Sequence, residues 1–542
     1  MQAFAIGRRR SKGLWGLGLS LPLASASLAA EMPGQWIVVT PAAFRDALAP
    51  LIELRQRQGF RVLVLLTTEV LPQNRTDGVA LQATLRDHTA DAHHSIIQSK
   101  GKNYILLVGA FGAAGLPEAT NTVPSVQGRV GRMKGELTDS GYGEPTQDGT
   151  PTAAVGRFPA RDATEVSAMV QKTLKFECDS TPAPWRNRLL LLIGNPGGGP
   201  LAEMFVQQTL SHELASLHPS WEARTLFNAA SSPYYLPRPR DREAALRYLG
   251  EGNLFSVFLG HSYAAGLGLD GKFLTRADWA ALSIPKGAGP LFTCGCFALQ
   301  SSSQGDGYGL TAMRNPAGPV AIVGATGETY SMAGLLAVKG LLACVREPPF
   351  PSRLGDYWLG VGAGLARGKL DEATFALLDL ADGSGGKVPL AIQRREHLEM
   401  WMLLGDPALR MPVMPQDVSL RVTGPIGAGQ QLAVSGLLPD RLKGAAVHLS
   451  LARPLDSVPT SLEALAPNSA TNRDARERAF IARHQSANSF VLATAEAKAS
   501  GNHFVASLAA PANLGWSNLV LRASAALSNE VGLAATSVPV QP

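Results

Sequence analysis

Residues 253–271 read NLFSVFLGHSYAAGLGLDG, where an apolar run ends in Gly-His-Ser. Such a run predicts a buried strand with polar side chains at its carboxyl end. His261 and Ser262 are the two candidates for a chemical role there. A serine nucleophile at a strand end needs a helix directly after it, because that turn exposes the hydroxyl. Three glycines in the next nine residues disfavour a helix, so the stretch favours His261.

A serine hydrolase that uses Ser262 stays open as an alternative. Its triad needs a later histidine, and within this unit the sequence offers His397, in RREHLEM. That position has the pattern of an ordinary exposed helix surface. The serine interpretation is therefore the weaker one.

The stretch GPLFTCGC, residues 289–296, predicts the next strand and carries two cysteines at its end. Parallel strands bring their carboxyl ends to one edge of a sheet, so we expect His261 and Cys296 close together as base and nucleophile. A thiol beside an imidazole can react as a thiolate near neutral pH. Cys294 is the alternative nucleophile.

The cysteines also allow other interpretations. The chain of 542 residues has four, too few for a disulfide scaffold, but a single structural disulfide of this pair with Cys178 or Cys344 stays open, as do buried inert thiols. Together with His261 the pair would give zinc only three ligands, which makes a poor site. No metal or cofactor is predicted; a structural calcium stays open, but no EF-hand-like ligand loop predicts one.

Most of the chain alternates strands with amphipathic helices, which predicts mostly parallel sheets covered by helices. We divide it into a signal peptide (1–30), a first α/β subdomain (31–182) and a second α/β subdomain (183–412). A helical stretch is predicted at 77–101, in DGVALQATLRDHTADAHHSIIQSKG. After Pro412, short alternating strands with frequent turns predict a β-sandwich at 413–542, interrupted by the charged insertion TNRDARERAFIARHQ.

The amino-terminal stretch RRRSKGLWGLGLSLPLASASLAAE has the basic, apolar and small-residue regions of a signal peptide. We expect export to the periplasm, cell surface or extracellular space, with no transmembrane segment in the mature chain. The formal net charge is +6, and removal of the four leader cations leaves about +2, so no nucleic-acid partner is expected.

Several stretches, in the same order along the chain, resemble the gingipain family of cysteine peptidases, which belongs to the clan of caspases and legumains. FSVFLGHS is similar to its catalytic-histidine strand, PLFTCGCFALQ to its catalytic-cysteine strand, and FLTRADWAAL to the segment between them. AAVGRFPARDATEVSAMVQKTLKFE, WRNRLLLLIGNPGGG and LLGDPALRM are similar to the junction, the opening of the second half and the closing segment. The resemblance covers roughly residues 36–412 and extends into the sandwich, which it implies to be immunoglobulin-like.

The resemblance implies a caspase-like catalytic region and a secreted cysteine endopeptidase that forms a thioester on protein or peptide substrates. It places the nucleophile on Cys296 and the base on His261. The oxyanion would be held by the backbone amides of Cys296 and Ser262. Ser262 stands where the family has glycine, as in Gly-His-Gly-Ser.

Three residues are candidates for a substrate pocket: Glu328, Ser331 and Asp139. Glu328, in the loop GATGETYSMAG, could meet a basic side chain, and a solvated loop carboxylate is its structural alternative. Ser331 occupies the place of a tryptophan that packs on the substrate in the family, so a preference for arginine or lysine does not transfer. Asp139 lies in LTDSGYG, and a local turn is its structural alternative. Asp406, before Pro407, is expected to fix a turn. These departures keep a catalytically inactive relative, used for binding or assembly, as the main alternative function.

Overall fold

The computed structural model describes residues 34–541, apart from 71–78, 85–86, 88–101, 113–120, 144–148, 180, 198, 303–304, 383 and 460–461. The signal-peptide prediction and most of the helix predicted at 77–101 lie outside the described residues.

The strands of the first half lie between residues 35 and 158. They are β1 (Gln35–Thr40), β2 (Arg61–Leu66), β3 (Asn103–Val108), β4 (Ala110–Gly112), β5 (Thr122–Pro124), β6 (Val126–Gln127), β7 (Leu137–Thr138) and β8 (Ala154–Phe158). The strands of the second half are β9 (Arg188–Ile193), β10 (Glu222–Phe227), β11 (Phe255–Leu259), β12 (Ser262–Tyr263), β13 (Gly266–Leu267), β14 (Leu274–Thr275), β15 (Leu291–Cys294), β16 (Ser301–Ser302), β17 (Gly305–Asp306), β18 (Ile322–Ala325) and β19 (Trp401–Leu404).

Ten of these strands form one continuous sheet in the order β10-β9-β11-β15-β18-β19-β8-β3-β1-β2. Apart from β19, neighbouring strands are parallel within each half; β19 is antiparallel to β18 of its own half and parallel to β8 of the first half. The two halves therefore run in opposite directions and meet at β19. The sequence predicted mostly parallel sheets in two subdomains, and the structure joins them into a single mixed sheet.

Helices cover both faces of this sheet. They are α1 (Arg45–Arg57), α2 (Thr67–Val70), α3 (Ala163–Cys178), α4 (Pro200–Ala215), α5 (Arg240–Gly250), α6 (Arg276–Ala281), α7 (Tyr308–Arg314), α8 (Ser331–Ala343), α9 (Leu354–Arg367), α10 (Glu372–Asp382) and α11 (Leu390–Met400). Local sequence fixes their ends: at α6 the Thr275 hydroxyl accepts the amide of Asp278, whose carboxylate accepts the amide of Thr275, and this capping box satisfies both groups. None of the described helices is long and apolar enough to cross a membrane.

A buried polar network ties the first half to the closing segment. Both carboxylate oxygens of Asp406 accept hydrogen bonds, one from the Trp36 indole at 3.0 Å and the other from Arg55 at 2.6 Å. Arg55 also makes two hydrogen bonds, each 2.9 Å long, to Glu177. Asp406 further accepts the amide of Ala408, which is the turn expected from its place before proline.

The C-terminal region is a sandwich of two antiparallel sheets. One sheet contains β20 (Ser419–Val422), β21 (Gln431–Leu437) and β24 (His503–Ala509), and the other contains β22 (Ala446–Ala452), β23 (Val491–Lys498), β25 (Asn518–Leu527) and β26 (Glu530–Pro539). Their inward residues share one apolar core. The predicted fold class, an α/β caspase-like region followed by a β-sandwich, is confirmed.

The charged insertion of the sandwich forms helix α12 (Arg473–Asn488), which packs on the edge strand β10 of the large sheet. The Asn488 side chain accepts the amide of Thr225 at 2.8 Å and donates to the carbonyl of the same residue at 2.9 Å. Arg522 of the sandwich donates to the carbonyls of Pro219 and Trp221. The sandwich and the second half are thus joined by polar contacts that are partly or fully buried.

Candidate active site

The candidate site lies where β11 and β15 end side by side. These strands are parallel neighbours, and Leu259 is in register with Cys294. His261 and Cys296 each follow two residues after that register position. The structure therefore brings the two residues to the same carboxyl edge of the sheet, as the sequence indicated.

Gly295 allows the two strand ends to approach closely. A Cβ at this position would overlap the Ser262 hydroxyl and come within 2.8 Å of the carbonyl oxygen of Gly260. The Ser262 hydroxyl occupies this space and donates a hydrogen bond of 2.7 Å to the carbonyl of Cys296. The His-Ser and Cys-Gly-Cys segments are therefore connected directly.

The main chain after the cysteine is strained. Phe297 has a φ of 58°, in the left-handed region that residues other than glycine rarely adopt. Such a residue costs about 1–3 kcal/mol and persists when its surroundings hold it. Here the amide of Phe297 donates to Gly327 and that of Leu299 to Ala325, which fixes the turn against the loop after β18.

The ring of His261 is half-buried, and its Nε2 lies 3.2 Å from the carbonyl oxygen of Pro196. A carbonyl oxygen can only accept a hydrogen bond, so Nε2 carries a proton. In the neutral ring the lone pair then lies on Nδ1, which is the nitrogen free to take a proton from a thiol. Among the described residues no hydrogen bond joins this ring to Cys296.

The sulfur of Cys296 instead contacts Thr329, in the loop between β18 and α8. The Thr329 amide donates to Sγ at 3.3 Å, and the Thr329 hydroxyl lies 3.4 Å from Sγ. Cys296 is half-buried, so reagents can reach it.

The two cysteines of the pair differ in their surroundings. Cys294 lies within β15, is buried, and its burial raises the pKa of its thiol to about 12. A thiol with that pKa stays protonated and is a poor nucleophile near neutral pH. All four cysteines are free thiols in the structure, so the alternative of a structural disulfide is wrong.

Ser262 is buried between main-chain and side-chain partners. Besides its bond to Cys296, its hydroxyl lies 3.4 Å from the Tyr308 hydroxyl. The chain continues from Ser262 into the hairpin of β12 and β13, with no helix after the serine. The turn that a serine nucleophile requires is therefore missing at this position.

His397 corrects a sequence expectation. It was expected on an exposed helix surface, but it is fully buried in α11. Its Nδ1 lies 2.6 Å from the carbonyl of Gln393, and its Nε2 accepts the amide of Tyr330 at 2.9 Å. Burial lowers the pKa of His397 to about 4, so the ring is neutral near pH 7. The expectation failed because α11 is covered on the side where this histidine lies.

The three predicted pocket residues have different environments. Glu328 is exposed and lies 3.5 Å from the guanidinium of Arg132, while Ser331 is the first residue of α8. Asp139 is buried, and its two carboxylate oxygens accept hydrogen bonds of 2.6 and 2.7 Å from Arg157. The carboxylate of Asp139 is thus already paired inside the protein.

Arg132 is a site residue that the sequence did not suggest. It comes from the first half, lies 4.2 Å from the centre of the Tyr330 ring, and pairs with the buried Glu396. No local pattern marks it, because its role depends on a loop of the first half meeting a loop of the second. Among the described residues no cluster of histidine, cysteine and carboxylate side chains could hold a metal ion.

Comparison with known proteins gives the family. The model of peptidase family C25 matches residues 29–412. A crystal structure of the Arg-specific cysteine proteinase gingipain R (RGPB) is 13% identical, with a TM-score of 0.52 over 94% of this chain and 99% of that chain. The complex of Porphyromonas gingivalis RgpB pro- and mature domains is 14% identical, with a TM-score of 0.51 over 94% of this chain and 100% of that chain.

A third solved structure, described as a protease, is 14% identical with a TM-score of 0.54, over 94% of this chain and 98% of that one. No significant match was found among curated protein sequences. The fold and the family model together define a cysteine peptidase. The chain belongs to peptidase family C25, the gingipain family, and the predicted resemblance is confirmed.

Proposed function

We propose that this protein is an exported cysteine endopeptidase in which Cys296 is the nucleophile and His261 the general base and acid. The register of β11 and β15 carries the proposal, because it places one thiol and one imidazole at the same distance past a shared position of the sheet. Protein or peptide substrates follow from the family. Export rests on the leader-like sequence at 1–30.

In the proposed reaction, Nδ1 of His261 takes the thiol proton of Cys296, and the thiolate attacks the carbonyl carbon of the scissile peptide bond. The backbone amides of Ser262 and Cys296 are the proposed donors to the oxyanion. The imidazolium returns its proton to the leaving amine as the carbon–nitrogen bond breaks. Water, deprotonated by the same ring, then hydrolyses the thioester and releases the thiol.

Glu328 is the proposed contact for a polar or basic substrate side chain, because its carboxylate is 70% exposed and it directly precedes Thr329, which contacts Sγ of Cys296. Arg132 shares that carboxylate, so a basic side chain has to compete with an existing ion pair. Ser331 leaves room where the family places a tryptophan. Asp139 forms an ion pair with Arg157, so we expect it to support the wall of the site without contacting the substrate.

An inactive relative that binds a partner is the second candidate. One observation favours it: His261 bonds to the carbonyl of Pro196, and no hydrogen bond among the described residues joins its ring to Cys296. Under this alternative the thiol is not activated by the imidazole.

The test is alkylation of the purified mature protein with iodoacetamide between pH 6 and 8, with mass spectrometry to locate the label, alongside cleavage of a mixed peptide library. Fast labelling of Cys296 that is lost in His261→Ala, together with cleavage, supports the peptidase. Slow labelling that does not depend on His261, without cleavage, supports the inactive relative. Cys294→Ala is the matched control and should leave both readouts unchanged.

A further inference from the structure

The loop between β18 and α8 presents two hydrogen-bond donors to the candidate nucleophile. The Thr329 amide lies 3.3 Å from Sγ of Cys296 and the Thr329 hydroxyl lies 3.4 Å from it. The protonated thiol can in turn donate to the Thr329 carbonyl, at 3.9 Å. Thr329 therefore surrounds the sulfur with contacts that suit both of its protonation states, and two of the three are strengthened by a negative charge on sulfur.

The same loop leads directly into a helix. The 13-residue helix α8 begins at Ser331, two residues after Thr329. The positive end of its helix dipole therefore lies at the end of this loop. Gly334 in the first turn lets the helix approach, since a Cβ there would already lie 3.2 Å from Leu259 and 3.5 Å from Cys294. The start of α8 therefore packs against the end of β15, the strand that leads to Cys296.

A buried histidine fixes the loop from behind. The amide of Tyr330, next to Thr329, donates to Nε2 of His397, and Nδ1 of His397 donates to the carbonyl of Gln393. Both ring nitrogens are used, so the orientation and the tautomer of the ring are set. The proposed reaction does not use this histidine, and because both of its ring nitrogens are hydrogen-bonded, it is not available to the serine triad that the sequence left open.

We propose that Thr329 is a further catalytic residue, whose amide and hydroxyl hold the sulfur of Cys296 as a thiolate before it attacks, and that His397 is the positioning residue that sets this loop. The proposal rests on the proposed function of Cys296 as nucleophile. His261 removes the thiol proton, and Thr329 stabilises the charge that remains. When the carbon–sulfur bond forms, that charge passes to the oxyanion. The hydrogen bond from the Thr329 hydroxyl to the sulfur then breaks.

The experiment measures the rate of iodoacetamide alkylation of Cys296 against pH in the full chain. Thr329→Val keeps the shape of the side chain and removes the hydroxyl, and Thr329→Ser keeps the hydroxyl. We expect Thr329→Val to move the midpoint of the profile upward by about one pH unit, which is about tenfold slower labelling below the midpoint. Thr329→Ser should follow the wild type.

Thr326→Val is the matched control, because its hydroxyl bonds to the carbonyl of Met400 and not to the sulfur. It should leave the profile unchanged. An unchanged midpoint in Thr329→Val overturns the proposal for Thr329. Alkylation needs no peptide cleavage, so a shifted midpoint in a protein that cleaves nothing would refute the peptidase, whereas cleavage with an unshifted midpoint would refute only the role of Thr329.

The positioning role of His397 is tested with His397→Leu and His397→Gln. The leucine variant loses the acceptor for the Tyr330 amide and should shift the midpoint in the same direction as Thr329→Val. The glutamine variant offers an oxygen acceptor to the Tyr330 amide, so its midpoint should lie between those of His397→Leu and the wild type. If both variants melt like the wild type and keep its midpoint, His397 has no positioning role. If His397→Leu does not fold, the comparison of His397→Gln with the wild type decides.

Discussion

The Ser262 hydroxyl donates a hydrogen bond of 2.7 Å to the main-chain carbonyl of Cys296, so the residue after the candidate base is tied to the candidate nucleophile. The hydroxyl proton of Ser262 is thus used in this structural hydrogen bond. The backbone amide of Ser262 is the group proposed to donate to the oxyanion. Removal of the Ser262 hydroxyl therefore distinguishes a cysteine peptidase, which keeps its nucleophile, from a serine hydrolase, which loses it.

Ser262→Ala should retain a measurable fraction of peptidase activity. The loss of one hydrogen bond of about 1 kcal/mol lowers kcat/KM by about fivefold, because the amide at position 262 is unchanged. The measurement is peptide cleavage by both proteins, with fluorophosphonate labelling as the control. Complete loss of activity, together with labelling of wild-type Ser262, would instead identify a serine hydrolase.

Gly295→Ala should inactivate the enzyme without unfolding it. The added Cβ overlaps the Ser262 hydroxyl and displaces it from the cysteine segment, and displacements of about 1 Å at a catalytic centre cost about 100-fold in rate. Gly250→Ala is the matched control, since its Cβ would meet only the carbonyl oxygen of Ser283, at 3.5 Å. Cleavage rates and melting temperatures are compared, and a fully active Gly295→Ala would contradict the close packing of the two segments.

Asp139→Ala should lower stability and leave substrate preference unchanged. The substitution leaves the buried guanidinium of Arg157 without its carboxylate, a change that typically costs about 3–5 kcal/mol. Glu53→Ala breaks an exposed ion pair with Arg57 and should cost less than about 1 kcal/mol. Urea unfolding gives the stabilities. A changed cleavage pattern in a peptide library would instead show that Asp139 contributes to substrate recognition.

Stability should fall in acid partly through Glu177. Burial by itself raises the pKa of this carboxyl, but the charge and hydrogen bonds of Arg55 outweigh burial and hold the pKa below its ordinary value. The folded state therefore releases this proton more readily than the unfolded state. The resulting stabilisation is complete above the unfolded pKa of about 4.3 and is lost as the pH falls through the folded pKa.

Glu177→Gln should accordingly be less stable than the wild type at pH 7, with the difference shrinking as the pH falls below about 4. Urea midpoints between pH 7 and 3 measure this, and Glu53→Gln, on an exposed pair, should keep the wild-type pH profile. A difference that stays constant over this range would show that the charge of Glu177 does not matter.

Asn488→Ala should loosen the attachment of α12 to the large sheet. It removes both hydrogen bonds to the main chain of Thr225 and should cost about 2 kcal/mol. Asn502→Ala removes more exposed bonds to Leu438 and Asp440 and should cost less. Hydrogen exchange of the Thr225 amide reports the contact directly. Unchanged protection would show that another group satisfies this amide.

The sequence predicted those parts of the fold that depend on local patterns. Apolar runs gave β11 and β15, and the polar residues at their ends gave His261 and Cys296. Turn-rich alternation gave the sandwich. Each of these signals lies within a few consecutive residues, so no knowledge of distant contacts was needed.

The rest depends on contacts between distant segments. Thr329 meets Cys296 because β18 lies beside β15, and Arg132 reaches Tyr330 because the two halves join at β19. His397 looked exposed because the helical pattern does not show that a loop covers it. The pairing of Asp139 with Arg157 could not be predicted from the local sequence, because Arg157 lies on β8, outside the segment LTDSGYG that contains Asp139.

The cover that α12 gives to β10 has a consequence for how the chain folds. Nine strands of the large sheet and β10 itself precede residue 473, so the sheet can assemble while its outer edge still exposes unpaired main-chain groups. Such an edge is a template for pairing with another molecule. A chain that ends before α12 should therefore self-associate through β10 more readily than the full chain.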